Sequence, residues 1–224
     1  MDHAPPVLGR LVAAGISTRA NDNLSDNLTD ADLEAMEWEV TRHVAELLKS
    51  LAIDTSTDPH TQDTASRVAR MMVRETFAGR YLPRPELRHF PNDKALDEIL
   101  VVGPIMIRST CAHHLVPITG QCWAAAIPGD TVVGLSKFHR LVEWVMARPQ
   151  IQEEATIQIA DEMAQAIPGA RAIAIVMRAS HLCCAWRGVR DAPSLFTTSV
   201  MRGLFKENES ARLELMALIK GMGF

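Results

Sequence analysis

The hydrophobic period of this chain switches repeatedly between helical and extended, and the order of those switches limits the folds open to it more than any single motif. Thr29 followed by Asp32 reads as an N-terminal cap, after which Leu33, Met36, Val40, Val44, Leu47, Leu48 and Leu51 recur at helical spacing. A second helix is predicted over residues 64–77, with Val68, Met71, Met72 and Phe77 inward, ended by Ala78-Gly79-Arg80 and by Pro83 and Pro85. From Glu98 the pattern becomes extended through Ile99, Val101, Ile105 and Ile107, with Gly103-Pro104 as a bend or bulge. Segments 121–127 and 131–135 flank Pro128-Gly129-Asp130, which predicts a hairpin turn. Two helices are expected next, over 136–147 and 149–167, with Pro149 in the first turn of the second. Strands over 172–177, 182–186 and 196–201 and a last helix over 210–220 complete the order. Helices, strands, a helical pair, strands and a helix describe an α+β domain with a largely antiparallel sheet.

Three regions follow from this order. Residues 1–28 lack sustained periodicity and grow rich in Asn, Asp and Ser, which predicts a poorly ordered or partner-dependent arm with at most a short helix near 8–14. Residues 29–80 form a helical region and residues 81–224 the α+β domain. With 224 residues the chain is long enough to bury a real core. A net charge of -4 argues against general affinity for nucleic acid or acidic membrane, so any polyanion site must be a local cluster of Arg and Lys. No apolar run reaches the length of a membrane span, and MDHAPPVLGR lacks a basic-then-apolar signal region, so a cytoplasmic location is expected.

The cysteines are Cys111, Cys122, Cys183 and Cys184. In a cytosolic chain, thiols beside histidines point to metal or catalytic chemistry rather than disulfides, and a bridge between the adjacent Cys183 and Cys184 would be strained. Cys111-Ala112-His113-His114 follows a predicted strand and carries a thiol and imidazoles at ligand spacing. A third ligand should come from His181-Leu182-Cys183-Cys184, leaving an open position for water on a zinc ion. If that segment is extended, Cys183 and Cys184 face opposite ways, and spacing alone does not choose between them. Cys122 lies in an apolar strand and reads as core. His3, His43, His60, His89 and His139 have no such company and read as surface or satisfied histidines.

Leu135-Ser136-Lys137-Phe138-His139-Arg140 places polar and basic side chains where a strand gives way to a helix. The unpaired N–H groups of a helix N-terminus favour an anion such as phosphate. A capped helix with solvated basic residues fits the same pattern.

From about residue 64 onward, CAHHLVPITG, GLSKFHRLVEWVMARPQIQEE, SHLCCAWRGVRD and TTSVMRGLFKEN occur in an order that resembles the GTP cyclohydrolase I family. The resemblance implies a tunnelling fold (T-fold), an antiparallel sheet with two helices packed on one face, preceded by an N-terminal helical extension. It also implies a homodecamer of two stacked pentamers with active sites between subunits, and neither nucleic acid nor membrane as a partner. By position, Cys111, His114 and Cys183 match the Zn2+ ligands, and His113 and His181 the proton-transfer histidines. Gln152 and Glu153 match the pair near the purine, with Glu153 gripping the guanine edge. Ser136, Lys137, Arg140 and Arg187 match the triphosphate set, and Arg67 an arginine reaching it from a neighbouring subunit.

The implied reaction is zinc-dependent hydrolysis of GTP at purine C8, release of formate, rearrangement of the ribose and closure to 7,8-dihydroneopterin triphosphate. His113 would protonate the imidazole nitrogen and His181 would assist later proton transfers. The chain departs from the family pattern at Ala112, where the family carries Glu, at Ala65, where it carries Pro, and at Cys184, an added thiol. Ala112 motivates one alternative, a homologue that stops at a ring-opened pyrimidine. A non-catalytic nucleotide-binding barrel subunit is the other.

Overall fold

The structure, a computed structural model, describes residues 7–224; His3 and the rest of 1–6 lie outside the described residues. The chain divides into two compact units, residues 1–83 and 84–224. In the first, α1 (Val7–Ala13) precedes a short 3-10 turn (Ser25–Asn27) and the long α2 (Asp30–Ser50). The α2 start is a capping box: Thr29 accepts from the Asp32 N–H, and the Asp32 carboxylate accepts from the Thr29 N–H. Where the sequence lacks periodicity, polar side chains hold the backbone. Asn23 donates to the carbonyls of Gly79 and Leu82, at 2.9 and 2.8 Å. The buried Arg80 donates to the carbonyls of Arg19 and Ala20.

The helix expected over 64–77 is α3 (Thr64–Met71), a π turn (Met72–Thr76) and α4 (Ala78–Tyr81). It runs through Gly79, which is buried, and stops ahead of Pro83, the residue that cannot continue it.

The second unit contains β1 (His89–Pro91), β2 (Leu100–Cys111), β3 (Pro117–Ile127), β4 (Thr131–Val133), α5 (Leu135–Met146), β5 (Pro149–Gln150) and α6 (Gln152–Ala166). It continues through β6 (Ala172–His181), α7 (Leu182–Ala185), β7 (Phe196–Gly203), α8 (Leu204–Glu207) and α9 (Glu209–Gly221). The architecture is mixed α+β. A five-stranded sheet has the order β5-β2-β3-β6-β7, antiparallel except where the short β5 joins β2 in parallel.

Alternation in β6 shows how the sheet is covered. Ile173, Ile175, Met177 and Ala179 enter a core with Leu141 and Val142 of α5 and Ile159 and Met163 of α6. Ala172, Ala174 and Val176 point the other way, into a core with Phe205, Leu215 and Ile219. A two-residue period thus serves two apolar layers, and β6 reads as a nearly unbroken apolar run. Gly120 lets β3 and β6 approach, since a Cβ there would overlap the Arg178 carbonyl.

Three expectations are corrected. Pro149 is not in a helix: it lies in β5 opposite Thr110, and α6 begins at Gln152 behind an extended Ile151. Proline is tolerated on such an edge strand because it has no N–H to leave unpaired there. Residues 182–186 are not a strand, because the last β6 partner on β3 is Ile118, opposite His181; without a ladder the chain turns into α7. The Pro128–Asp130 turn leads to β4, which pairs with β1 rather than with β3. Both edges of β3 are already taken, by β2 and β6.

Candidate active site

The register brings the ends of three strands together. Cys111 ends β2, Pro117 begins β3 opposite Thr110, and His181 ends β6 opposite Ile118. The connection between β2 and β3 is tight: Cys111 N–H donates to Val116 O at 2.8 Å, Leu115 N–H to Cys111 O at 2.9 Å, and Ala112 N–H to Gln150 O at 3.0 Å. Leu115 takes a φ of 53°, a left-handed conformation uncommon for a residue other than glycine. His113 and His114 stand exposed on this turn, each with Nδ1 4.0 Å from Cys111 Sγ.

The turn of α7 brings Cys183 to the same place. Donor atoms of Cys111, His114 and Cys183 all lie within 4.8 Å of one another. Tetrahedral zinc with bonds of about 2.0–2.3 Å needs ligand atoms about 3.3–3.8 Å apart, so small side-chain rotations close the set. Neither His113 nor Cys184 belongs to this group. Of the two thiols left open by spacing, Cys183 is the one in this group, brought there by a helical turn and not by strand alternation.

The Cys183 thiol is pushed up to about 11 by burial, with the Cys111 and Cys184 thiols adding to the effect. Thiols crowded in this way favour the thiolate only when a cation is there to receive it, which is what a soft divalent metal supplies. Two thiols and an imidazole suit zinc, with a position left for water. Cys122 is fully buried in β3, its thiol pushed up to about 12 by burial, and belongs to the core.

Beside this group, His181 Nε2 lies 2.7 Å from Gln152 Oε1, and its ring meets the edge of Phe196 at 5.0 Å. Burial lowers the His181 pKa, while the carboxylate of Glu153 acts in the opposite direction. Glu153 is exposed in the first turn of α6. Gln152 is only 2% exposed, and its amide nitrogen faces Phe196 O at 3.0 Å and Thr198 Oγ1 at 3.1 Å. Thr156 and Thr198, which sequence reasoning did not single out, complete this cluster. Spacing is their signal: Thr156 stands one helical turn after Gln152 on α6, and strand alternation puts Phe196 and Thr198 on one face of β7.

Ser136, Lys137 and Arg140 lie in the first turns of α5. The N-cap is Gly134, with no side-chain hydrogen bond, so no capping hydroxyl competes for the helix N-terminus. Arg187 is exposed just after α7. Arg67 belongs to the first unit, where it is exposed on α3 and pairs with Asp63 at 3.2 Å.

The chain is similar to known proteins over most of its length. The family model described as GTP cyclohydrolase I matches residues 40–220. The GTP cyclohydrolase 1 of Enterobacter sp. (strain 638) is 37% identical over 211 residues, covering 94% of this chain and 92% of that protein. The Salmonella arizonae protein of the same name is 36% identical with the same coverage. A solved structure, the archaeosine synthase QueF-Like in the apo form, matches at TM-score 0.36 and 12% identity, over 54% of this chain and 97% of that one.

Proposed function

The chain belongs to the GTP cyclohydrolase I family, and from that membership we propose that it hydrolyses GTP at purine C8 with zinc, releases formate and forms 7,8-dihydroneopterin triphosphate. The observation that carries the reading is the meeting of Cys111, His114 and Cys183 at the strand ends where His181 also stands. These three residues would hold the ion. When bound, zinc supplies a Lewis acid and brings the pKa of water toward neutrality.

The rest of the chemistry falls to side chains. His113, exposed beside the ligand turn, protonates the purine imidazole as the ring opens. His181 handles the proton transfers that follow. Glu153 accepts from the guanine N–H groups, a charge-assisted contact that adenine cannot return. Lys137, Arg140, Ser136 and the uncapped N-terminus of α5 receive the triphosphate together with Arg187. Arg67 reaches the triphosphate from a neighbouring subunit.

The proposed assembly is a tunnelling-fold barrel in two stacked pentamers. β5 covers only Thr110 and Cys111 of β2, and β7 has no outer neighbour in its sheet among the described residues. Two open edges on one sheet support head-to-tail pairing between subunits, which closes into a ring. No helix among the described residues is long and apolar enough to cross a membrane.

Incubating the metal-replete protein with GTP tests the reading. A pterin that becomes fluorescent on oxidation, with one formate released per GTP consumed, is the expected result. Ala112 leaves the loop with no acid between Cys111 and His113 and favours a second reading, arrest at a ring-opened pyrimidine. A ring-opened product without pterin, with or without formate, would establish that second reading, and GTP left unconsumed would exclude both.

A further inference from the structure

Resting on the reading of His181 as a proton-transfer group, we propose that Gln152 is a positioning residue that holds His181 in one tautomer, with hydrogen on Nε2 and the lone pair on Nδ1. The argument is one of hydrogen-bond polarity. A glutamine amide has two ends of similar shape, and only its surroundings tell oxygen from nitrogen. Here one end faces two backbone carbonyls, Phe196 O at 3.0 Å and Met177 O at 3.4 Å. Carbonyls only accept, so the NH2 group must face them and Oε1 must face His181.

The second amide hydrogen is committed as well. Thr156 Oγ1 donates its single hydrogen to the Gln152 backbone carbonyl at 2.7 Å. The Thr156 and Thr198 hydroxyls lie 2.7 Å apart, so the hydrogen between them is the one on Thr198. Thr198 Oγ1 is then left to accept from Gln152 Nε2 at 3.1 Å. Each donor in this ring is used once, and two backbone carbonyls fix its direction. Gln152 is 2% and Thr156 1% exposed, which leaves little room for water to reverse it.

The remaining contact is Gln152 Oε1 with His181 Nε2 at 2.7 Å. An amide oxygen cannot donate, so the imidazole must. His181 therefore carries hydrogen on Nε2 and its lone pair on Nδ1, which has no hydrogen-bond partner among the described residues. Gln152 acts through His181: its amide hydrogens are already committed within the chain, so the guanine edge is left to Glu153.

The test uses the metal-replete protein with isotope-labelled histidine, read by solid-state NMR, with His181→Ala assigning the signal by difference. The wild-type protein is expected to show the Nε2–H form alone, and Gln152→Leu a mixture of tautomers. An Nδ1–H form in the wild-type protein, or an unchanged single form in Gln152→Leu, overturns the inference. In turnover, Gln152→Leu should lower kcat by roughly 10- to 100-fold, less than the roughly 100- to 10,000-fold a general acid–base group itself contributes, with KM for GTP little changed.

Added to His181→Ala, the same substitution should cost nothing further, because both remove one function. Thr198→Val, which keeps Gln152 in place, should show a smaller loss of the same kind. A raised KM with kcat retained would mean that Gln152 touches GTP directly, and would overturn the assignment. Wild-type turnover by His181→Ala overturns the reading of His181 itself, an outcome kept distinct because the tautomer is read from the spectrum.

Discussion

Cys183→Ala and Cys184→Ala form a matched pair that tests the metal site at its least sequence-determined point. Both thiols are half-buried and adjacent, yet only Cys183 falls within 4.8 Å of the Cys111 and His114 donor atoms. Consecutive residues on a helical turn diverge by about 100°, so Cys184 stays outside the group although its thiol lies close enough to push the Cys183 thiol up. Replacing Cys183 by Cys184 would require unwinding α7, whose Trp186 N–H donates to Leu182 O at 3.0 Å.

Zinc held by four protein ligands contributes about 10–16 kcal/mol, or about 2.5–4 kcal/mol per ligand. Loss of the Cys183 ligand should therefore weaken zinc binding by roughly 60- to 700-fold, at about 1.4 kcal/mol per tenfold. Cys184→Ala should leave affinity unchanged. Competition with a chromophoric chelator gives the affinities, and zinc per chain after desalting gives occupancy; circular dichroism confirms that both variants fold. Wild-type affinity in Cys183→Ala, or metal loss in Cys184→Ala, refutes the grouping. Retention lost only in the double variant would make the thiols interchangeable, which the turn of α7 forbids.

Glu153→Gln replaces a charge-assisted contact with a neutral one, so kcat/KM for GTP should fall by about tenfold and selectivity over ATP should narrow; unchanged selectivity in steady-state assays would remove Glu153 from guanine recognition. Thr29→Ala removes the cap of α2 and should cost about 0.5–2 kcal/mol in denaturant titrations. The Asp32 carboxyl is held below the usual carboxylate range chiefly by the Thr29 N–H, then by the Thr29 hydroxyl and Arg10. Its contribution is present above the unfolded carboxylate pKa and lost as pH falls through the lower folded value, so Asp32→Asn should flatten acid sensitivity in that window. Leu215→Ala empties a fully buried position on the sheet face opposite α5 and α6. It should cost about 2–5 kcal/mol in thermal or chemical unfolding while zinc per folded chain stays unchanged.

Local chemistry made much of this legible. Thr29 and Asp32 announce a helix start because a side-chain oxygen and a backbone N–H three residues apart satisfy each other without distant help. Cys111 and His114 point to a metal only together with the second Cys/His cluster at 181–184, because a thiol and an imidazole at that spacing also occur without one. What stayed hidden depends on partners far along the chain. Pro149 reads as a helix start until β2 offers it an edge, and residues 182–186 read as a strand until β3 runs out of partners at Ile118. β4 reads as half of a hairpin until both edges of β3 prove occupied.

Gln152 is the sharpest case of this division. The family resemblance implies a place near the purine for it, a statement about residue identity. Its donors, however, are committed to Phe196 and Thr198, 44 and 46 positions away, and its acceptor to His181, 29 positions away. A motif names the atoms available for chemistry, whereas the polarity of a hydrogen-bond network decides which carry protons, and that polarity is set by backbone carbonyls whose identity the sequence never displays. Substitutions at Thr156 and Thr198, to which the motifs assign no role in the site, should therefore reach the chemistry at His181 with contact to neither metal nor nucleotide.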